Sequence, residues 1–295
     1  MRNIFKRNIV WSIAIYERDL DFSFSQKLNN PINVIDSKKI RKHHKHVHTY
    51  ADPFFYVYND ELYIFFESQS IFEKGKIEVF KTFDLKNFEF LGTILEERFH
   101  VSYPFIFEFK QSIYLMPESL KENEIALYKF EKFPFSLSKY KVLLQGTYSD
   151  SSLVEHGGVY YLFTTSERGF EIFYTEDIEQ NALLPHPCNP ITRDLRYSRN
   201  GGAPVKLNNE LYRITQDCSV EYGQNIHIMM IKVLSPIAYE EILVHENYFE
   251  KDAGWNSKGG HHLSIIDFHN KKIIAVDGKQ YDHIMNKFLA PFYWC

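Results

Sequence analysis

The stretch DPFFYVYNDELYIFFE, residues 52–67, decides the fold because four other stretches repeat its pattern without a gap. In each copy an alternating apolar run is followed by a small polar turn and by a second run that ends in a polar group. The other copies are YPFIFEFKQSIYLMPE at 103–118, DSSLVEHGGVYYLFTT at 150–165, GGAPVKLNNELYRITQ at 201–216 and HLSIIDFHNKKIIAVD at 262–277. The chain therefore contains an internal repeat.

A two-residue turn occupies the same place in all five copies. Its residues are Asn59-Asp60, Lys110-Gln111, Gly157-Gly158, Asn208-Asn209 and His269-Asn270. Short turns of this kind between two alternating apolar runs are typical of a β-hairpin. Each copy therefore predicts two antiparallel strands of one sheet.

A hairpin that recurs every 40 to 60 residues or so is typical of a β-propeller blade, because one such sheet cannot bury its faces alone. A two-sheet sandwich, which also has many short strands, is the alternative. A sandwich gives no reason for the same hairpin to recur in the same frame. We therefore predict an all-β, five-bladed β-propeller that forms a single domain over residues 1–295.

The remaining segments extend this prediction. The apolar stretch 9–16 predicts a strand that closes the ring by completing the last blade near residues 288–293. Four strand-like runs between the hairpins predict outer strands, at 76–82, 124–130, 170–174 and 225–233. Two long connections, 176–199 and 236–260, predict loops that border a binding pocket.

Composition limits the function classes. The 26 Phe and 20 Tyr suit half-buried pleated surfaces. A net charge of −4 gives no field that would recruit nucleic acid, and three cysteines match neither a disulfide framework nor a metal quartet. No stretch reaches the roughly 18 apolar residues of a membrane span, and the amino terminus lacks a leader cleavage site. We expect a cytoplasmic protein without a cofactor or a membrane span.

The hairpin geometry predicts where polar groups gather. The first residue of one strand and the last residue of its partner lie at the same end of an antiparallel hairpin. In five blades these positions surround one mouth of the central channel. The predicted rim contains Asp52, Glu67, Tyr103, Glu118, Asp150, Thr165, Gln216, His262 and Asp277.

Carboxyl groups that share a concave site raise one another's proton affinity, so one can act as an acid while another stays ionised. Cleavage of a glycosidic bond needs such a pair. The rim therefore predicts a sugar site. The alternative is that these acids only form ion pairs with Arg199, Arg213 or Lys279.

Other residues are candidates for substrate contact. Arg199 precedes Gly201-Gly202, where a ligand can approach the backbone, and His261 and His262 open the last hairpin. Aromatic side chains stack on sugars. The predicted substrate-binding set is Glu67, His100, Tyr103, Arg199, Gln216, Asp217, Trp255, His261 and His262. The basic run 41–48 predicts a cationic lip for donor phosphates rather than a metal site.

An ordered series of motifs resembles a known domain family. The motifs are Trp11-Ser12-Ile13, Ala51-Asp52-Pro53-Phe54, 99–104 (FHVSYP), Met116-Pro117-Glu118-Ser119, Asp150-Ser151-Ser152, 212–217 (YRITQD) and Tyr222-Gly223. This family occurs in the amino-terminal part of plant glucosamine inositolphosphorylceramide transferases and in bacterial proteins. It is similar to the five-bladed propeller glycosidases of the arabinanase and invertase type.

The resemblance implies roles for the rim acids. Asp52 takes the place of the catalytic base or nucleophile of the glycosidases, and Asp150 that of the second acid, which positions the substrate or tunes a pKa. Glu118 is the candidate proton donor, although the glycosidases commonly place their glutamate after the second aspartate.

Together these inferences predict a carbohydrate-active enzyme that transfers a sugar during synthesis of a cell-surface polysaccharide. A nucleotide sugar or a lipid-linked glycan is the expected substrate. The alternatives are a glycoside hydrolase and a catalytically silent sugar-binding module that serves a transferase.

Overall fold

The computed structural model describes residues 9–36, 47–70, 73–251 and 253–281, and apart from one short 3₁₀ turn its regular structure is all strand. The 3₁₀ turn spans Leu120–Glu122. The strands are β1 (Ile9–Arg18), β2 (Asn33–Ile35), β3 (Val47–Tyr58), β4 (Glu61–Ser70), β5 (Lys76–Thr82), β6 (Glu89–Leu95), β7 (Ser102–Phe109), β8 (Ser112–Glu118), β9 (Glu124–Lys132), β10 (Ser136–Gln145), β11 (Ser149–His156), β12 (Val159–Ser166), β13 (Gly169–Thr175), β14 (Leu184–Pro185), β15 (Arg199–Asn200), β16 (Val205–Leu207), β17 (Glu210–Asp217), β18 (Asn225–Leu234), β19 (Tyr239–His245), β20 (Leu263–Phe268) and β21 (Lys271–Tyr281).

These strands form five antiparallel sheets arranged as a five-bladed β-propeller, which confirms the predicted fold. Blade 1 contains β3 to β6, blade 2 contains β7 to β10, and blade 3 contains β11 to β14. Blade 4 contains β15 to β19, in which β15 and β16 both pair with β17. Blade 5 has the order β2-β1-β21-β20.

The five predicted turns are present, and each joins the first two strands of a blade. Both residues of every turn have positive φ, from 47° at Lys110 to 81° at Gly158. This is the geometry of a type I′ turn, whose twist matches that of the flanking strands. The turn chemistry therefore fixes the register of each hairpin.

The ring closes through the amino-terminal strand, as predicted. β1 pairs along its whole length with β21, from Ile9 opposite Tyr281 to Arg18 opposite Lys272. The predicted partner near residues 288–293 lies outside the described residues, and β21 takes that place. Because the first strand completes the last sheet, blade 5 joins the two ends of the described chain.

The sequence did not predict every outer strand. The predicted runs are the third strands of blades 1 to 4, and the fourth strands, β6, β10, β14 and β19, were missed. The connection 236–260 was predicted as a loop, but it contains β19. The register of β19 against β18 is interrupted by shifts, and all of its residues are exposed or partly exposed, so no alternation of buried and exposed positions marks it.

The inner strands of blades 1, 2 and 3 share a bulge at the first repeat position. Between Ala51 and Phe54 the register of β3 shifts against β4, and equivalent shifts occur in β7 and β11. The bulge residues Asp52, Tyr103 and Asp150 have φ of 53°, 47° and 50°. A bulge re-aims the side chain of its extra residue. The two aspartates thereby reach the cavity described below.

Blade 4 meets blade 5 through closely spaced backbone. The Leu263 amide donates to the Gly201 carbonyl at 2.8 Å. Gly202 has φ of 145°, and a Cβ there would lie 2.1 Å from the Leu263 carbonyl oxygen. A side chain at this position would therefore force the two blades apart.

Of the residues that the structure describes, none belongs to a helix long and apolar enough to cross a membrane.

We expect Gly202→Ala to reduce the free energy of unfolding by more than Gly92→Ala. Both glycines have positive φ, but a Cβ at Gly92 would meet nothing within 4 Å. Gly92→Ala, the control, therefore introduces only backbone strain, which costs about 1–3 kcal/mol. Urea titrations of both variants measure the difference. Equal losses would contradict the close contact between blades 4 and 5.

Candidate active site

A cavity of about 210 Å³ lies at the channel end marked by the bulges. We call it the acidic cavity. Its lining comes from all five blades and consists of Trp11, Thr49, Ala51, Asp52, Glu67, Gln69, His100, Ser102, Glu118, Asp150, Arg199, Tyr222 and His261. Pockets for drug-sized ligands measure about 300–1,000 Å³, so this volume suits one small unit such as a monosaccharide.

Hydrogen bonds between neighbouring blades hold the acids of this cavity. The amide of the bulge residue Tyr103 donates to Asp52 Oδ2 at 3.2 Å, and the amide of Asp150 donates to Glu118 Oε2 at 3.1 Å. The amide of Asp52 donates in turn to Asp277 Oδ2 at 3.2 Å. Each bulge therefore orients a carboxylate of the preceding blade.

Asp52 combines burial with a network of charges. Burial raises the pKa of Asp52 to about 7; the His261 charge opposes this rise, and Asp277 and Asp150 add to it. A carboxyl with this pKa is present in both protonation states near neutral pH. Such a group can accept or donate a proton during a reaction.

His261 lies between two carboxylates. Its Nδ1 is 2.6 Å from Asp277 Oδ2, and its Nε2 is 3.4 Å from Asp52 Oδ1. Burial alone would lower the pKa of His261, but Asp277 and Asp52 outweigh burial and raise it. Burial would raise the pKa of Asp277, but the charges of His261 and His262 together with hydrogen bonds from His261 outweigh burial and lower it. Asp277 and His261 therefore form an ion pair.

Arg199 contacts the acids of blades 2 and 3. Its Nε donates to Asp150 Oδ2, and its Nη2 lies 3.8 Å from Glu118 Oε2. Burial and the Asp150 charge raise the pKa of Glu118 well above its usual range, and the Arg199 charge only partly offsets them. A raised proton affinity is the property that a carboxyl proton donor needs.

Glu67 is the fourth carboxyl of the cavity. Burial and the charges of the other acids raise its pKa well above the usual range. Its Oε1 lies 3.4 Å from His100 Nε2, while His100 Nδ1 accepts a hydrogen bond from the Gly75 amide at 3.0 Å. Burial, with a contribution from Lys121, lowers the pKa of His100, so the imidazole is neutral and Nε2 carries its proton toward Glu67.

Two aromatic rings, Trp11 and Tyr222, form one side of the cavity, which we call the aromatic wall. The Trp11 and His261 rings have centroids 4.3 Å apart, and the Tyr222 ring meets His261 edge to face at 5.1 Å. The Arg199 guanidinium lies 5.1 Å from the centre of the Tyr222 ring. Flat aromatic surfaces of this kind pack against the apolar faces of sugar rings.

The structure brings together seven of the predicted site residues. They are Asp52, Glu67, His100, Glu118, Asp150, Arg199 and His261. The ion pairs that were considered as an alternative also exist in part. Arg199 pairs with rim acids, whereas Arg213 pairs with Glu241, and Lys279 pairs with Glu221.

Five predicted substrate-binding residues do not line the acidic cavity. Tyr103 and His262 are buried with Phe54 and contribute backbone rather than side chain to the acids. Gln216 and Asp217 are buried in β17, and Asp217 lies 3.6 Å from His227. Trp255 packs over Gly278, where a Cβ would lie 2.2 Å from its ring.

The predicted site set lacked six lining residues and also Asp277, which lies behind His261; the six are Trp11, Thr49, Ala51, Gln69, Ser102 and Tyr222. Trp11 and Tyr222 belong to the motifs that carry the family resemblance, and that signal pointed to them. Asp277 occupies the last repeat position, equivalent to Glu67 and Glu118. The repeat places Asp277 at the rim, but it does not reveal the contact with His261.

Asp52, His261 and Asp277 present potential ligand atoms within 4.8 Å of one another. The separation of His261 Nδ1 and Asp277 Oδ2 is a hydrogen-bond distance, 2.6 Å. Two ligands bound to one metal at about 2.0–2.2 Å each would normally lie farther apart. We interpret the group as an ion pair rather than as a metal centre.

The channel has a second cavity of about 430 Å³, lined by inner-strand residues such as Phe55, Ile106, Val205 and Ile266. Its lining is mainly apolar and contains one acid, Asp267, which pairs with Lys272. This cavity lacks the convergent carboxyl groups on which glycosidic chemistry depends. The smaller acidic cavity is therefore the candidate active site.

Comparison with protein families matches residues 11–279 to the family described as "Glucosamine inositolphosphorylceramide transferase 1, N-terminal". The glucosamine inositolphosphorylceramide transferase 1 of Arabidopsis thaliana is 36% identical over 244 residues, which cover 77% of this chain. That of Oryza sativa subsp. indica is 36% identical over 246 residues, again 77% of this chain. In both cases the match spans 32% of the relative, about a third of its length.

Similar solved structures are propeller glycosidases. An α-L-arabinofuranosidase from Podospora anserina matches 79% of this chain and 92% of its own with a TM-score of 0.61 and 12% identity. An α-L-arabinofuranosidase from Clostridium thermocellum matches 80% and 84% with a TM-score of 0.58 and 15% identity. At these identities the likeness establishes the fold alone.

We expect Asp52→Asn to stabilise the protein more at pH 8.5 than at pH 5. Because the pKa of Asp52 is raised to about 7 in the folded protein, the folded state favours the protonated carboxyl. The contribution of Asp52 to stability is therefore complete below about pH 4 and is lost as the pH rises through about 7. The gain at pH 8.5 should exceed that at pH 5 by on the order of 2–3 kcal/mol. Chemical denaturation at both pH values measures it.

Asp84→Asn is the control with the opposite sign. Hydrogen bonds from the Asn87 and Lys86 amides lower the pKa of Asp84 to about 2, so its ionised form stabilises the fold. That contribution is present above about pH 4 and is lost as the pH falls toward 2. Asp84→Asn should therefore destabilise the protein at both pH 5 and pH 8.5. A pH-independent effect of Asp52→Asn would contradict the raised pKa.

Proposed function

Because the chain belongs to the glucosamine inositolphosphorylceramide transferase 1 N-terminal family, we propose that it binds a glycosyl unit in the acidic cavity and acts in glycosyl transfer. One observation carries the proposal. Four carboxyl groups from three blades meet in one sugar-sized cavity beside an aromatic wall. Glycosidic chemistry requires one protonated and one ionised carboxyl, and the different surroundings of these four acids supply both.

The acids take different roles in this proposal. Asp52 is the base or nucleophile, because the amide of Tyr103 and the charge of His261 favour its ionised form. Glu118 is the proton donor because its pKa is raised well above the usual range. Asp150, held by Arg199, orients the substrate and tunes Glu118.

Transfer is favoured over hydrolysis by the curated relatives, which are named as transferases. This chain matches only about a third of the length of those proteins. That it shares the activity of the whole relative is therefore a proposal. The solved neighbours are hydrolases that share the propeller architecture. A glycoside hydrolase of the arabinanase or invertase type is therefore the alternative within the same chemistry.

The charge of the cavity bears on the substrate. Its lining carries four carboxyl groups against Arg199 and His261, and Asp277 adds a fifth behind His261. A phosphate placed among these acids would be repelled, whereas a neutral or amine-bearing sugar would not. A nucleotide or lipid phosphate of the donor therefore lies outside the cavity. The basic run 41–48, predicted to bind such phosphates, falls on residues whose contacts the structure does not describe.

A second candidate function is a silent glycan-binding module. Arg199 contacts both Asp150 and Glu118, and acids bound in ion pairs are typical of a binding site as well as of a tuned active site. In that case the sugar would bind and a partner would perform the transfer. A cytoplasmic location and a role in polysaccharide synthesis remain proposals from the sequence.

We expect Asp52→Asn to abolish turnover while the protein stays folded and still binds sugar. Loss of a general base typically costs about 10²–10⁴-fold. The measurement is a screen of activated sugars and oligosaccharides that records thermal stabilisation and product release. Asp267→Asn, an acid at the other end of the channel, is the control and should keep full activity. Sugar binding without product in the unsubstituted protein would favour the binding module.

We expect Tyr222→Ala to weaken sugar binding by about tenfold, because a stacking face of the aromatic wall is lost. Val220→Ala is the matched control, since Val220 lies in the same loop, is 82% exposed and does not line the cavity. Calorimetry with the sugar found in the screen compares the two variants. Equal affinities would place the sugar elsewhere.

A further inference from the structure

Both carboxylate oxygens of Asp277 make contacts with neighbouring residues, although Asp277 does not line the acidic cavity itself. Its Oδ1 accepts the amides of His261 and His262 at 2.8 and 3.0 Å. Its Oδ2 accepts the amide of Asp52 at 3.2 Å and faces His261 Nδ1 at 2.6 Å. One carboxylate therefore fixes the backbone of two blades and the side chain of His261 together.

His261 transmits this constraint to the cavity. Its two ring nitrogens face different acids, Asp277 on one side and Asp52 on the other. The ring cannot turn freely, because Trp11 and Tyr222 pack against it. The imidazole is thus held with Nε2 3.4 Å from Oδ1 of Asp52, the carboxyl assigned as the base.

We propose that Asp277 and His261 form a positioning relay for Asp52, in which Asp277 holds His261 and His261 orients the Asp52 carboxylate toward the substrate. The proposal rests on the role given to Asp52 above. Asp277 and His261 are positioning residues, because they act through Asp52 and Asp277 lies behind His261. In the serine hydrolases an aspartate likewise orients an imidazole, but there the imidazole is itself the base, whereas here it acts on a carboxylate base.

The charged and titratable groups around His261 belong to several strands and loops. Asp277 on β21 and Asp52 on β3 face its nitrogens directly, and Tyr222 packs against the ring. The other charged or titratable groups nearby are Asp150, Glu67, Glu118, His100, Arg199, His262 and Lys279. Only Asp277 and Asp52 lie within ion-pair distance of His261 among the described residues. Changes at these two acids should therefore dominate its titration.

Two substitutions test the relay, and each replaces a side chain by a neutral one of similar size. In Asp277→Asn the amide oxygen can still accept the His261 and His262 amides, but the negative charge beside Nδ1 is lost. In His261→Gln a neutral side chain replaces the imidazole and leaves Asp277 in place. Asp267→Asn, at the other channel mouth, serves as the control.

Nuclear magnetic resonance of the imidazole and carboxyl groups tests the relay without a substrate. We expect the titration midpoint of His261 to fall in Asp277→Asn, and that of Asp52 to rise in His261→Gln, because each group loses an opposite charge. Asp267→Asn should move neither. Unchanged midpoints in both variants would overturn the relay. If Asp277→Asn does not fold, the Asp52 midpoint in His261→Gln alone decides the question.

Kinetics with a sugar found in the screen gives the second readout. We expect kcat to fall about 10- to 100-fold in both variants with KM nearly unchanged, and the acid limb of the pH profile to move with Asp52. An unchanged kcat with an unchanged pH profile would overturn the relay while leaving the proposed function intact. Absence of any turnover in the unsubstituted protein would instead contradict the proposed function, and the resonance titrations would still test the relay.

Discussion

Hydrogen bonds that cross the blade boundaries on the channel side govern both the fold and the site. At all five boundaries a donor on one blade reaches an acceptor on the preceding blade: Tyr103 to Asp52, Asp150 to Glu118, Asn200 to the Asp150 carbonyl, Leu263 to the Gly201 carbonyl, and Asp52 to Asp277. Hydrogen bonds to charged acceptors contribute about 1.5–3 kcal/mol each. Three of the five acceptors are the carboxyl groups of Asp52, Glu118 and Asp277, so two residues assigned to chemistry also link neighbouring blades.

This dual use explains why the acids tolerate burial. An isolated carboxylate inside a protein costs several kcal/mol, and the usual outcome is protonation or pairing. Here the acids divide between the two outcomes. Asp277 is ionised against His261, and Glu118 and Glu67 have strongly raised proton affinities. Asp52 lies between these extremes because a backbone amide and an imidazole stabilise its charge while burial opposes it.

The repeat made the hairpins, their turns and the position of the rim acids predictable because these depend on local chemistry. Positive φ at both turn residues follows from pairs such as Asn59-Asp60, and one frame places all five copies at equal depth. The outer strands and the side-chain partners were not predictable in the same way. β19 lies within a stretch predicted as a loop, and the choice of His261 over His262 as the partner of Asp277 depends on bulges and ring packing that no local pattern encodes.

The amino-terminal strand has a consequence for the timing of activity. Trp11 on β1 lies against His261, and β1 is held in place by β21, which is synthesised more than 250 residues later. During translation β1 has no pairing partner until β21 has left the ribosome. A nascent chain in which β21 has not yet been synthesised therefore lacks the strand that holds Trp11 against His261. The aromatic wall is therefore complete only when β1 and β21 are paired.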